Sequence, residues 1–385
     1  MVKTPIYLDY QATTPLDPRV LDTMMPYLTE HFGNPHSSTH SFGWRAAAAL
    51  DVAREQVSEL ICASPEEVFF TSGATETNNM VIKGVMEQWG DKRPKVICAA
   101  TEHKCVLEAA RHCQKAGFEL NIIPVMPNGL LDMNKLEDAV DDRTALVSVM
   151  AVNNEIGVIQ PLKEIGKIVK SAGALFHSDV AQAFGKIPLD VDACQLDYLS
   201  VSGHKIYGPK GVGALFKRAG SCRTLGTLFS GGGQEQGVRA GTQAPALVAG
   251  LGNAALIAGA EMITEAARTK QLMAGFKRKL FSALPGLVLN GHAEARWAGN
   301  LNISFPGLDG DLLLANIRDL AVSSGSACAS AVAGPSYVLE AIGCDLQLAK
   351  TALRIGIGRF TTAEELDYAA DHLTAAVSHL GGLKH

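Results

Sequence analysis

The chain has 385 residues, 47% of them hydrophobic, with a net charge of −5 and a pI near 6.1. That length predicts more than one packed core, and the apolar content is ample to fill it. Lys and Arg form no run longer than Lys277-Arg278-Lys279, so nucleic acid is not an expected direct partner.

Residues 1–15, MVKTPIYLDYQATTP, place polar groups too early for a secretory signal, which predicts a cytoplasmic protein. Eight cysteines (Cys62, Cys98, Cys105, Cys113, Cys194, Cys222, Cys328, Cys344) with no Cys-x-x-Cys pair read as reduced thiols, most of them small core residues. The cluster His103, Cys105, His112 and Cys113 does not set four ligands on one helical face, so no zinc site is expected. From Glu67 to about Phe216, short apolar runs (EVFF, VICAA, LNIIPV, ALVSVM, GALFHSD, DYLSVSG, GVGALF) alternate with amphipathic helical stretches. This rhythm predicts an α/β fold, a mostly parallel sheet flanked by helices, with ligands collecting at strand ends.

An Ala-rich helix is predicted from about Ala244 to Leu284. Its most apolar part, Ala246 to Ile263, is interrupted by Asn253 and reads as a buried helix rather than a membrane span. Beyond it come LVLNG, NLNISF, a helix at Asp311 to Leu320, AVSSGSA, a helix near Tyr337 to Ile342, and LRIGIG, the pattern of a smaller α+β domain. The last helix is expected to open on a Thr361/Glu364 capping box and to bury a stripe of Leu366, Leu373, Val377 and Leu380. The expected division is a large domain over 16–262 and a small domain made of 1–15 and 263–385, the latter carrying Cys328.

Three segments carry chemistry together. FTSGATETNN, Phe70 to Asn79, runs a strand into a helix through a Gly turn, either as a phosphate cup or as an ordinary N-cap by Ser72 or Thr75. FHSDVAQAFGK ends a strand at Asp179, and LSVSGHKIYGPKG ends another at Lys205. A crowded lysine amine beside a carboxylate at a neighbouring strand end is what pyridoxal phosphate needs: an amine for its aldehyde carbon and an anion for its ring nitrogen. GHKIYGPK misses a P-loop because Pro209 replaces the lysine, and SGGGQEQG lacks dinucleotide spacing. Cys328 lies in SSGSACASAVAGPS, a run of small residues that reads as an accessible loop, where an incidental cysteine is the other reading.

The motifs YLDYQATTP, FGNPHS, TSGATETNN, TEHK, NNEIG, SDVAQ, SGHKIYGPKG, GGGQEQGVRAGT and SSGSACAS, in this order along nearly the whole chain, resemble the NifS/IscS-like cysteine desulfurases. The resemblance implies the pyridoxal 5'-phosphate-dependent transferase fold of type I, a homodimer, and L-cysteine as substrate. Carried over residue by residue, it gives Lys205 as the Schiff-base lysine, Asp179 as the partner of the ring nitrogen, and His103 stacked on the ring and assisting proton transfer. Gln182 would contact the ring oxygen, while Ala74, Thr75, Ser202 and His204 would bind the phosphate with Thr242 from the other subunit. Asn154 would sit beside ring and substrate, and Arg354 would grip the substrate carboxylate. Cys328 would take the sulfur as a persulfide and leave alanine; a transient iron–sulfur ligand role for Cys328 is a further family-level implication.

The acceptor implied is an iron–sulfur scaffold or another sulfur-acceptor protein such as a tRNA-thiolation relay. One departure stands out: Gln234 and Gln236 occupy places where relatives commonly carry basic residues. The segment after Cys328 agrees with the resemblance, being long as in the IscS/NifS branch and unlike the branch allied to selenocysteine lyases. A selenocysteine lyase or an aminotransferase of the same fold is the rival reading, but transamination has no use for Cys328. A non-catalytic partner that keeps fold and cofactor as support is the rival from another class, against which the complete set of reactive residues speaks.

Overall fold

The computed structural model describes residues 2–220, 225–324 and 336–381. In chain order the elements open with β1 (Ile6–Tyr7), α1 (Pro18–Thr29), α2 (Ser41–Glu59), β2 (Val68–Thr71), α3 (Ala74–Trp89), β3 (Lys95–Ala99), α4 (Lys104–Lys115) and β4 (Glu119–Ile123). They continue with α5 (Met133–Ala139), β5 (Thr144–Ser148), α6 (Leu162–Ser171), β6 (Leu175–Asp179), β7 (Tyr198–Ser202), β8 (Gly213–Lys217) and α7 (Pro245–Ala283). The remainder is β9 (Val288–Leu289), β10 (Asn300–Ser304), α8 (Gly310–Asn316), β11 (Leu320–Ala321), β12 (Ser323–Ser324), α9 (Tyr337–Ala341), α10 (Leu346–Lys350), β13 (Leu353–Gly356) and α11 (Ala363–His379).

All seven apolar runs between Glu67 and Phe216 form one sheet of order β2-β8-β7-β6-β5-β3-β4. Strands β7, β6, β5, β3 and β4 pair in parallel, and β8 alone runs against its neighbours. Every residue of β3, β5, β6 and β7 is buried, which is why these strands are near-continuous apolar runs rather than alternating ones. Helices α3 and α4 pack on one face around Met80, Ile82 and Val106, while residues of α2 and α7 join the core on the other. α7 is long and apolar enough to cross a membrane by length and composition, yet half of that stretch is buried inside the protein. Its glycines let it lie close against α2: a Cβ on Gly252 would come within 2.5 Å of the Ala53 Cα.

A second sheet, β12-β13-β10-β9, is antiparallel throughout, and β1 pairs in parallel with β11. Its core joins Ile6 and Leu8 to Met273, Leu301, Ile355, Leu366 and Leu373. Side chains of α9 and α10 (Val338, Leu339, Ala349) instead join the core of the large sheet. The first of these helices was expected in the smaller domain.

Two local expectations need correction. The capping box of α11 uses Thr362 and Glu365, one residue later than Thr361 and Glu364. Thr361 is engaged elsewhere, accepting from the Gly358 N–H at 3.1 Å. The helix expected over 311–320 ends at Asn316, so that Leu320 and Ala321 are released to pair with β1. The apolar stripe is as expected, with Leu366, Leu373 and Val377 buried and Leu380 packed against the same core.

Candidate active site

An open pocket of about 610 Å³ lies where β2, β6 and β7 end, the place at which ligands gather in sheets of this kind. Its lining includes Ala74, Thr75, His103, Asn154, Asp179, Gln182, Ser202, His204 and Lys205. Nine residues singled out from sequence, drawn from five separate segments, thus meet in one place.

One wall is the start of α3. The chain leaves β2 through Gly73 at φ +145°, a conformation that L side chains rarely adopt, and Gly73 is the N-cap with no side chain capping the helix. Neither Ser72 nor Thr75 serves as the cap. Leading N–H groups of a helix have no intrahelical partner, so this end offers donors and a positive dipole end to an anion. The turn sits tightly on β8, since a Cβ on Gly213 would approach the Gly73 Cα to 2.6 Å. Glu76, which could oppose an anion, is held by Arg239 at 2.8 Å and by the Ser72 N–H at 2.8 Å. Across from it, Nδ1 of His204 is 3.0 Å from Thr13 Oγ1, and burial followed by Lys205 pulls the His204 pKa down to about 4.

At the floor, the buried carboxylate of Asp179 takes Asn78 Nδ2 on Oδ2 at 2.7 Å and the Ala181 N–H on Oδ1 at 2.9 Å. It has no ion-pair partner among the described residues. A buried carboxylate held by neutral donors alone is suited to receive a cationic ligand nitrogen. His103 caps α4, its Nδ1 accepting from the Cys105 N–H at 3.3 Å and lying 3.0 Å from Cys105 Sγ. Nδ1 is therefore an acceptor, and a neutral ring carries its proton on Nε2. Burial keeps this imidazole below its usual pKa, aided by Lys205 and Lys104 and opposed by Asp179.

Lys205 closes the turn after β7 and donates to the backbone oxygens of Gln11 at 2.6 Å and Ala12 at 2.7 Å. Gln182 donates to the same Gln11 oxygen at 2.8 Å. Asn154 Oδ1 is buried on the pocket wall with no hydrogen-bond partner among the described residues, a polar atom left for a ligand.

Arg354 and Thr242 do not line the pocket. Arg354, buried on β13, pairs with Asp9 at 2.7 Å, donates to Ser323 Oγ at 3.0 Å, and reaches the Asn154 oxygen at 3.2 Å, so it stands directly behind the wall. Thr242 is exposed on the surface of this chain. Cys328 lies outside the described residues.

The pocket also contains residues that sequence reasoning missed. Gln11, Ala12 and Thr13 line it, and only the quoted motif YLDYQATTP drew attention to them. Cys105 lines it as a thiol whose pKa burial, then Asp179, pushes up to about 12. Asn78, fully buried in α3, supports both Asp179 and, at 3.2 Å, the Cys105 sulfur. Its signal was a polar residue on the apolar face of an amphipathic helix.

An uncapped helix end for phosphate, a carboxylate for a ring nitrogen and a lysine at the adjacent strand end together fit pyridoxal phosphate. Residues 6–369 match the family model described as aminotransferase class-V. The chain is 52% identical over 379 residues to the cysteine desulfurase IscS of Rickettsia bellii, covering 98% of this chain and 92% of that one. Among solved structures it resembles a NifS-like protein at a TM-score of 0.90 and 35% identity, over 97% of this chain and 100% of the other. It also resembles SspA in complex with cysteine, at a TM-score of 0.83 and 34% identity, over 92% of this chain and 99% of the other.

Proposed function

The chain belongs to the class-V aminotransferase family, among its NifS/IscS-like cysteine desulfurases, and on that footing we propose how its own residues take sulfur from L-cysteine. It is a pyridoxal-phosphate-dependent enzyme of sulfur delivery. The observation that carries the reading is the meeting of Asp179 and Lys205, at the ends of paired strands β6 and β7, in one pocket with the uncapped start of α3.

Bound pyridoxal phosphate supplies the electron sink that makes loss of the substrate α-proton feasible. Lys205 would hold the cofactor covalently, and its amine, when free, would move that proton. Asp179 holds the positive charge at the ring nitrogen. Ala74, Thr75, Ser202 and His204 would hold the phosphate, with Thr242 of a second subunit, while His103 and Gln182 would hold the ring. Arg354 and Asn154 hold the substrate carboxylate, for which Arg354 shifts part of its bonding from Asp9. The Cys328 thiolate attacks the substrate sulfur: the S–S bond forms as the C–S bond breaks, the electron pair of that bond stays with the carbon skeleton, and protonation yields alanine. Cys328 keeps the sulfur as a persulfide for an iron–sulfur scaffold or another acceptor protein, and could there ligate a nascent cluster.

We further propose a cytoplasmic homodimer with domains over 16–262 and over 1–15 with 263–385, α9 and α10 of the latter packing back onto the core of the former. The described cysteines are all unpaired, as suits a reducing compartment. The separate core around Ile6, Leu8, Leu301 and Leu373 supports the division. The packing of α7 against α1 and α2 supports a role off the membrane.

The deciding experiment measures alanine released from L-cysteine with a thiol reductant, comparing wild type with Cys328→Ala. Turnover by the wild type and a stall by the variant with substrate on the cofactor are expected. Equal alanine from both would overturn the persulfide role, and none from either would overturn the assigned reaction.

A further inference from the structure

Lys186 lies behind Gln182 in a small hollow that also has Tyr207, Glu265, Thr269, Trp297 and Arg359 in its lining. Its Nζ donates to Gln182 Oε1 at 3.0 Å and sits 4.7 Å from the Trp297 ring centroid. It makes no ion pair among the described residues, because the nearby Glu265 is engaged by Arg359 at 3.0 Å. A half-buried lysine with no paired carboxylate adds little to the fold, so its presence calls for another reason.

Lysine has donors and no acceptor, so the end of the Gln182 amide turned toward it must be the oxygen. The amide nitrogen then faces the pocket side, where the Gln11 oxygen accepts from it at 2.8 Å. An ammonium on an amide oxygen draws electron density from the nitrogen and makes its remaining N–H a stronger donor. We propose that Lys186 is a positioning residue that fixes and polarises the Gln182 amide, strengthening its hydrogen bond to the negatively charged ring oxygen of the cofactor.

Burial, then repulsion from Lys205, lowers the Lys186 pKa to about 7, with Glu265 opposing. The charge behind Gln182 is therefore coupled to the charge on Lys205. Loss of charge at Lys205 favours the charged form of Lys186, which tightens the grip on the ring oxygen.

The inference rests on the cofactor reading, and its test separates the two. Wild type, Lys186→Met and Lys186→Arg are compared as apoproteins titrated with pyridoxal phosphate, reading the dissociation constant and the visible absorption maximum. Lys186→Met should weaken binding about 10-fold and shift the maximum, while Lys186→Arg should remain within about 3-fold of wild type. In a Gln182→Ala background, Lys186→Met should add nothing. An unchanged spectrum and affinity in Lys186→Met, or an undiminished effect without Gln182, overturns the relay. If Lys186→Met does not fold, Lys186→Gln decides, since it keeps a donor and loses the charge: it must show the shift, and an unshifted spectrum overturns the proposal. Failure of the wild type to bind pyridoxal phosphate would sink the cofactor reading itself.

Discussion

Asn78 in α3 donates its side-chain amide to Oδ2 of Asp179 at the end of β6, 2.7 Å away, with both residues buried. The bond fixes the carboxylate rotamer and aims it into the pocket. Asn78→Ala leaves a buried oxygen unsatisfied, which costs about 1–3 kcal/mol. The expected result is pyridoxal-phosphate affinity lower by roughly 10-fold with melting temperature reduced by only a few degrees. Asn78→Asp should be worse, because a second carboxylate beside Asp179 drives one of the two to hold a proton. Cofactor titration by absorbance checks both, and wild-type affinity in Asn78→Asp would remove Asp179 from its assigned role.

Gly73 supports a second prediction. A side chain there meets open space, its nearest contact being Ser202 Oγ at 3.9 Å, so the penalty of Gly73→Ala is conformational rather than steric crowding. At φ +145° the strain is on the order of 1–3 kcal/mol and falls on the turn that aims the α3 N–H groups. Inorganic phosphate should protect the wild-type apoprotein against thermal unfolding and protect Gly73→Ala far less. Equal protection would show that the helix start does not bind the phosphate.

His177 makes stability depend on pH in a stated direction. Its ring bridges three strands, Nδ1 to Ser148 Oγ at 2.8 Å and Nε2 to Ser200 Oγ at 2.9 Å, and burial lowers its pKa to about 4. Between about 4 and the unfolded value near 6.5, the unfolded chain binds the proton that the folded chain refuses. The contribution is thus complete above about 6.5 and is lost as pH falls toward 4, on the order of 2 kcal/mol by pH 4.5. Urea unfolding of His177→Gln at pH 7 and pH 4.5 should show a pH difference smaller by about that amount. A slope equal to that of wild type would assign the acid sensitivity to other groups.

Why some of this was legible and some was not follows from where the information sits. Strands buried on both faces read as short, largely apolar runs, so GALFHSD and DYLSVSG were readable as strands, and Asp179 and Lys205 at their ends were readable as a pair. The cradle of Lys205 by Gln11 and Ala12 was not, because those contacts join residues 194 and 193 positions apart and involve backbone oxygens common to all sequences. The capping box was misplaced by one residue because Thr361 and Thr362 precede Glu364 and Glu365, and both spacings satisfy the motif. Only the engagement of Thr361 by the Gly358 N–H decides between them. Likewise Ser72 and Thr75 have capping chemistry, but the backbone at Gly73 leaves neither at the cap.

The last prediction concerns the second subunit. Leu21, Met25 and Leu28, spaced four and three apart on one face of α1, are exposed and lead to exposed Phe32, whose ring lies 5.5 Å from that of Phe42. Trp44 is 58% exposed on the adjacent start of α2, so large apolar side chains concentrate where a soluble monomer would not place them. Thr242 is also exposed and sits in the loop tied down through Glu235, which takes Arg54 at 3.1 Å and Gln243 at 2.6 Å. If this apolar surface joins two copies, and each copy lends Thr242 to the other's phosphate, breaking the interface and removing the hydroxyl should weaken cofactor binding alike. Wild type should sediment at twice 40.7 kDa, and a Phe32→Asp, Trp44→Asp variant at that single mass. The monomer and a dimeric Thr242→Val variant should each lose pyridoxal-phosphate affinity by about 5- to 20-fold, the scale of one charge-assisted hydrogen bond. Combining the changes should cost little more than either alone. A monomer that binds the cofactor as tightly as wild type would separate the apolar surface from the active site.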